Sequence, residues 1–185
     1  MIIASQKRKE NIAEYLLYMW HIEDLIRAND LDIDKIKVNI INRYADLSSA
    51  QIKEMTEWYE SLIDMMRREG VEKSGHLQMN KNILSAMVAL HQTLLKDPKF
   101  PDYTAEFYKT LPYIVELRSK SGENKSGEIE TCLNALYGML MLRMQGKEIS
   151  KQTVDAISAI SHFIAVLSHD FKLDENDQLF KREDM

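Results

Sequence analysis

The sequence has few of the residues that most often constrain or interrupt a helical chain. Among 185 residues it has one cysteine, three prolines and six glycines. One cysteine cannot form an intramolecular disulfide, so nothing in the chain indicates an oxidising compartment. Cys132 lies in an apolar stretch, where we interpret it as a small core residue rather than a nucleophile.

Long apolar runs and concentrations of one charge are missing as well. No run approaches the roughly 18 apolar residues of a membrane span, and Glu10 and Glu14 interrupt any signal-peptide core. The net charge is −5, acids and bases alternate, and the short basic cluster at 6–9 stands beside Glu10. Nucleic acid would require a concentrated basic face. We therefore predict a cytoplasmic protein that binds neither membrane nor nucleic acid.

Helical periodicity dominates what is present. Apolar residues recur at three- and four-residue spacing through most of the chain, and no alternating strand pattern stands out. This pattern predicts an all-α, single-domain bundle of about seven helices over 1–170, followed by an acidic C-terminal tail over 171–185. The predicted elements are 6–28 with Ser5 as its cap, 33–45, 48–70, 74–96, a fifth helix that Pro112 either kinks or restarts, 127–145 and 151–170.

The sixth predicted helix, EIETCLNALYGMLMLRM, is apolar nearly all round. A helix of this kind is normally surrounded by other helices. We therefore expect it to be the central helix of the bundle.

The stretch MWHIEDLIR at 19–27 places charges inside an apolar helix. At 100° per residue, Glu23 and Arg27 fall among apolar side chains, whereas Asp24 falls on a solvent-facing side. Glu followed four residues later by Arg favours an ion pair on one face, here at the edge of the core. Two alternatives stay open: the pair lines a pocket beside Trp20, or it lies in a subunit interface.

Two other polar residues accompany apolar stripes. His91 lies in the middle of the apolar face of its helix, where a core histidine bonded to a backbone carbonyl or a hydroxyl is the usual case. Arg143 can rest its stem on the core and extend its guanidinium into water. If these helices meet, the candidate binding residues are Trp20, Glu23, Arg27, His91 and Arg143.

Patterns typical of metal sites and catalysis are incomplete. No histidine has a glutamate three residues before it, and His162 and His169 are seven residues apart, too far to share one ion. EMTEWYESLID spaces four acids as a magnesium-binding helix would, but no other predicted helix carries a second Glu-x-x-Glu or Glu-x-x-Asp pair, so we interpret the acids as a solvated face. We predict no metal, no cofactor and no catalytic residue.

The segment KRKENIAEYLLYMWHIEDLIRAN, with the DIDKI that follows, carries a resemblance to a known family. It resembles the N-terminal signature of an uncharacterised bacterial all-α family frequent in gut anaerobes, a domain of unknown function numbered 4924 in that series. The likeness extends over nearly the whole chain. It implies a stand-alone bacterial cytoplasmic domain and assigns no site residues.

The function therefore stays open between two classes. A non-enzymatic interaction or scaffold domain, expected to form homo-oligomers, is favoured by the missing catalytic motifs, by eleven methionines and by exposed-looking aromatics such as Trp58. The alternative is a small-molecule-binding protein or an unrecognised enzyme with a pocket near Trp20, Glu23 and Arg27.

Overall fold

The computed structural model of the protein describes residues 2–44, 46–120 and 126–181. Over these ranges the chain forms eight α-helices, one 3₁₀ turn and no β-strand, which confirms the prediction of an all-α single domain. The helices are α1 (Ile2–Glu10), α2 (Ile12–Ala28), α3 (Ile33–Asn39), α4 (Ser49–Arg68), α5 (Gln78–Lys96), α6 (Pro101–Lys120), α7 (Glu128–Met144) and α8 (Lys151–Glu175), and the 3₁₀ turn is Ile41–Arg43.

The predicted first helix is in fact two helices, and its predicted cap, Ser5, lies inside α1. The break falls at Asn11, whose extended backbone has φ −152° and ψ 113°. Its side-chain oxygen accepts hydrogen bonds from the backbone N–H groups of Ala13 (3.0 Å) and Glu14 (3.1 Å). Asparagine is among the strongest N-cap residues, so it starts a new helix here.

The last helices also differ from their predicted bounds. α6 begins at Pro101, where the missing N–H of proline costs nothing, and continues through Pro112. α8 ends at Glu175, five residues after the predicted 170, because the core extends further than we expected: Phe171 is 7% and Leu179 is 2% exposed. Residues 182–185 of the predicted tail lie outside the described residues.

The expected central position of α7 is not confirmed. Its first half is buried, with Ile129 and Leu133 at most 1% exposed, and α8 packs beside it and also against α2, α5 and α6. Its second half leaves Leu142 and Met144 exposed. Among the described helices, none is both long and apolar enough to cross a bilayer.

Candidate functional site

A buried carboxylate joins α2 to the start of α5. Glu23 on α2 is fully buried, and its oxygens accept hydrogen bonds from His76 Nδ1 (2.6 Å), Leu77 N (3.0 Å) and Asn80 Nδ2 (2.7 Å). Leu77 is the N-cap residue of α5 and has no polar side chain to satisfy the first helical N–H groups. Glu69 Oε2 accepts the N–H of Gln78, the first residue of α5, at 2.6 Å, while Glu23 accepts the N–H of Leu77 itself. The positive end of the helix dipole favours both carboxylates at this position.

An aromatic ring covers the histidine of this cluster. The Trp20 ring stacks on the His76 imidazole with centroids 4.3 Å apart and planes 16° apart. Tyr137 of α7 in turn meets the Trp20 ring edge-on, with centroids 6.0 Å apart. Trp20 is 2% exposed, whereas the His76 side chain keeps 32% of its surface in contact with solvent. His76 is therefore the part of this cluster that a solute can reach.

Arg27 holds the loop between α4 and α5. Its guanidinium pairs with Asp24 (2.8 Å) and donates to the backbone carbonyls of Val71 (3.1 Å) and Gly75. Only 15% of its side chain is exposed. The Asp24 carboxylate in turn accepts the Tyr137 hydroxyl hydrogen bond at 2.6 Å, and burial together with that bond raises the pKa of Tyr137. One guanidinium thus fixes a loop that follows it by more than forty residues.

The ion pair that we predicted between Glu23 and Arg27 does not form. Glu23 pairs with His76, and Arg27 pairs with Asp24, the residue that periodicity placed on a solvent-facing side. The physical reason is that the loop before α5 offers N–H donors to the acid and carbonyl acceptors to the base. Glu23 is satisfied by donors from His76, Leu77 and Asn80, and Arg27 is satisfied by two loop carbonyls together with Asp24.

His91 lies in a different part of the core, among rings of α6 and α8. Its side chain is 2% exposed, its Nδ1 is 2.7 Å from the Tyr103 hydroxyl, and Phe107 and Phe163 contact its ring. Burial lowers its pKa, although Glu128 at 3.7 Å acts in the opposite direction. A buried histidine bonded to a hydroxyl is the structural arrangement that the sequence favoured.

Arg143 lies in a third place, on the wall of an open groove of about 730 Å³ between α2, α7 and α8. The floor of the groove carries small residues of α8 such as Ser158 and Ala165. Its larger apolar side chains are Leu17, Leu136, Met139, Leu140, Val154, Ile157 and Ile164. The structure therefore separates the five candidate residues: Trp20, Glu23 and Arg27 share one cluster, and His91 and Arg143 lie elsewhere.

Sequence reasoning missed three partners in the first cluster: His76, Asn80 and Tyr137. A weak signal was present in HLQMN, where His76 and Asn80 flank a helix start that lacks a good capping residue. Nothing in the sequence connects that segment to Glu23, because the contacts span more than fifty residues.

The acidic face of α4 gives no metal centre. Its four acids, Glu54, Glu57, Glu60 and Asp64, are exposed, in agreement with the solvated face that we predicted. Trp58 on the same helix is half-buried rather than exposed. Within the described ranges, no three His, Cys, Asp or Glu side chains are grouped so that they could hold a metal ion.

Comparison with known proteins agrees with the resemblance seen in the first helices. No curated protein and no solved structure gives a significant match to the chain. A family model described as a domain of unknown function (DUF4924) matches residues 1–178, and the chain therefore belongs to this family.

Proposed function

We propose that this protein is a protein-interaction domain, which acts by binding through the face formed by α2, α7 and α8 and performs no catalysis of its own. The proposal includes a cytoplasmic location and a bacterial origin. The single cysteine and the family resemblance support these two points.

The observation that carries the proposal is the uncovered second half of α7. Residues 131–142 contain no charged side chain, which is typical of a helix enclosed by others. Met144 is nevertheless 61% exposed, and Leu140 and Leu142 are 38% and 37% exposed. Val154, across the groove on α8, is 40% exposed. Leu140 and Met144 are four residues apart and therefore lie on the same side of α7. Exposed apolar side chains grouped in this way mark an interaction site in a soluble protein.

The cluster around Glu23 supports the alternative, a ligand pocket, less well. Glu23 and Trp20 are at most 2% exposed, so a solute does not reach them. The donors of Arg27 are engaged with Asp24 and with two loop carbonyls. These side chains have a sufficient structural role in holding the loop before α5 against α2.

Photo-crosslinking inside the host cell tests the proposal. A photoreactive phenylalanine analogue at position 144 should form a covalent adduct with another polypeptide. The matched control is position 38, because Val38 is 66% exposed and Met144 is 61% exposed. Val38 stands among charged neighbours on α3, namely Asp34, Lys35 and Lys37. Adducts at 144 and not at 38 support the proposal, whereas no adduct at 144, or equal adducts at both positions, would overturn it.

A further inference from the structure

The face that α2, α7 and α8 form has the features of a surface that binds itself. We propose that its occupant is a second copy of this chain, related to the first by a two-fold axis. This inference rests on the proposed function, because it names the partner of the same face. Three properties of the face support a second copy: its shape, its charges and its size.

The shape argument is that the face contains both halves of an interlocking contact. The groove between α7 and α8 is concave, and Leu140 lies on its wall. Met144, one turn further along the same side of α7, is exposed and does not line the groove. In a two-fold interface the same surface serves both subunits, so it has to contain a cavity and the side chains that fill it. Met144 of one copy is placed to enter the groove of the other.

The charge argument concerns two exposed residues at the edges of the groove. Arg143 lines the groove from α7, and Asp155 follows the groove-lining Val154 on α8. Within the described part of the chain, neither side chain makes a hydrogen bond or an ion pair. A surface with unpaired charges of both signs complements a rotated copy of itself, in which Arg143 meets Asp155 of the other subunit. Such rim pairs set register and specificity more than affinity.

The size argument compares the face with known interfaces. It is about 18 Å long over residues 151–162 of α8, at about 1.5 Å per residue, and about 27 Å wide across three helices about 9 Å apart. Each copy therefore contributes about 500 Å², and the pair buries about 1,000 Å², which is the lower limit of a specific interface. We expect a dimer that dissociates on dilution through the micromolar range.

Charge reversal with rescue tests the register. Sedimentation equilibrium of the full-length protein, from about 1 to about 200 µM, should show a monomer–dimer equilibrium. R143D and D155R should each raise the dissociation constant at least about tenfold, because each places like charges together twice in the dimer. An equimolar mixture of R143D and D155R should recover the heterodimer, since both contacts then join opposite charges. The double variant R143D/D155R should recover the homodimer for the same reason.

Substitutions of apolar residues give the matched controls. M144D should abolish the dimer, and V38D, at a residue of similar exposure on α3, should leave it unchanged. Both side chains are exposed, so circular dichroism should show wild-type helix content in each variant.

Two results would overturn the inference: a monomer over the whole concentration range, or a dimer that M144D and the charge reversals do not weaken. A monomer that still photo-crosslinks at position 144 to a different protein would reject the second copy and retain the proposed function. Absence of both the dimer and the crosslink would reject both.

Discussion

Replacing Glu23 with alanine should destabilise the protein more than almost any other single substitution in α2. The change removes the acceptor of three hydrogen bonds, from His76 Nδ1, Leu77 N and Asn80 Nδ2, in a site with no exposed carboxylate surface. Removing one partner of a buried ionic network costs about 3–5 kcal/mol. For a domain of this size, about 1 kcal/mol shifts Tm by about 2–4 °C, so the expected decrease is about 6–20 °C.

Urea unfolding followed by circular dichroism measures the effect, at one fixed protein concentration so that any dimerisation contributes equally. Glu23→Gln keeps the side-chain volume and one acceptor oxygen, and should lose about half as much free energy of unfolding as alanine. Glu57→Ala is the control, because its side chain is 62% exposed and its pair with Lys53 is worth about 1 kcal/mol at most. If Glu23→Ala unfolds within about 1 kcal/mol of the wild type, the role assigned to Glu23 in holding the start of α5 against α2 is wrong.

Three further predictions concern other positions. Burial lowers the pKa of His91 below its ordinary 6.5. As the pH falls, the His91 imidazole is therefore protonated in the unfolded chain before it is protonated in the folded protein. The contribution of His91 to the free energy of unfolding should therefore be complete above about pH 6.5 and decline below it. Urea unfolding at about pH 7.5 and about pH 5.5 should show a smaller decline for His91→Gln than for the wild type. An unchanged pH dependence in the variant would contradict this prediction. Gly70→Ala should destabilise by about 1 kcal/mol, because φ is +66° there. Gly138→Ala should stabilise the protein by about 0.5–1 kcal/mol, because Gly138 lies inside α7 and the new Cβ has open space. If both glycine substitutions change the free energy of unfolding in the same direction, this comparison is wrong. Cys132 is fully buried, and burial raises its pKa to about 12. A thiol reagent should therefore label Cys132 only after unfolding. Rapid labelling of the native protein would contradict its core position.

The helix bounds show how far local pattern carries a prediction. α4 was predicted well, because Ser48 forms the expected cap and the apolar stripe through Met55, Tyr59 and Leu62 is buried as its spacing indicates. The first helix was predicted poorly. Its periodicity continues across Asn11, and periodicity alone does not show that an asparagine side chain has turned back to cap a new helix.

The cluster around Glu23 shows the limit for a site. Spacing placed Glu23 and Arg27 on one face of α2, and both are largely buried in the structure. Their distant partners were not predictable, because they come from the loop before α5 and from the start of α5, and a sequence does not specify which loop reaches which helix face. The structure answers why these charges lie in an apolar helix: they fix the loop between α4 and α5.

Local sequence pattern is sufficient to predict the fold class, most helix positions and most of the buried apolar stripes. These depend on short-range periodicity, capping and the cost of exposing apolar side chains, which act within a few turns of helix. Packing of the helices against one another sets three other features: Glu23 contacts His76, His91 lies apart from this cluster, and the second half of α7 stays uncovered. Those outcomes depend on contacts between residues distant in the chain, and helical periodicity contains no information about which distant faces meet.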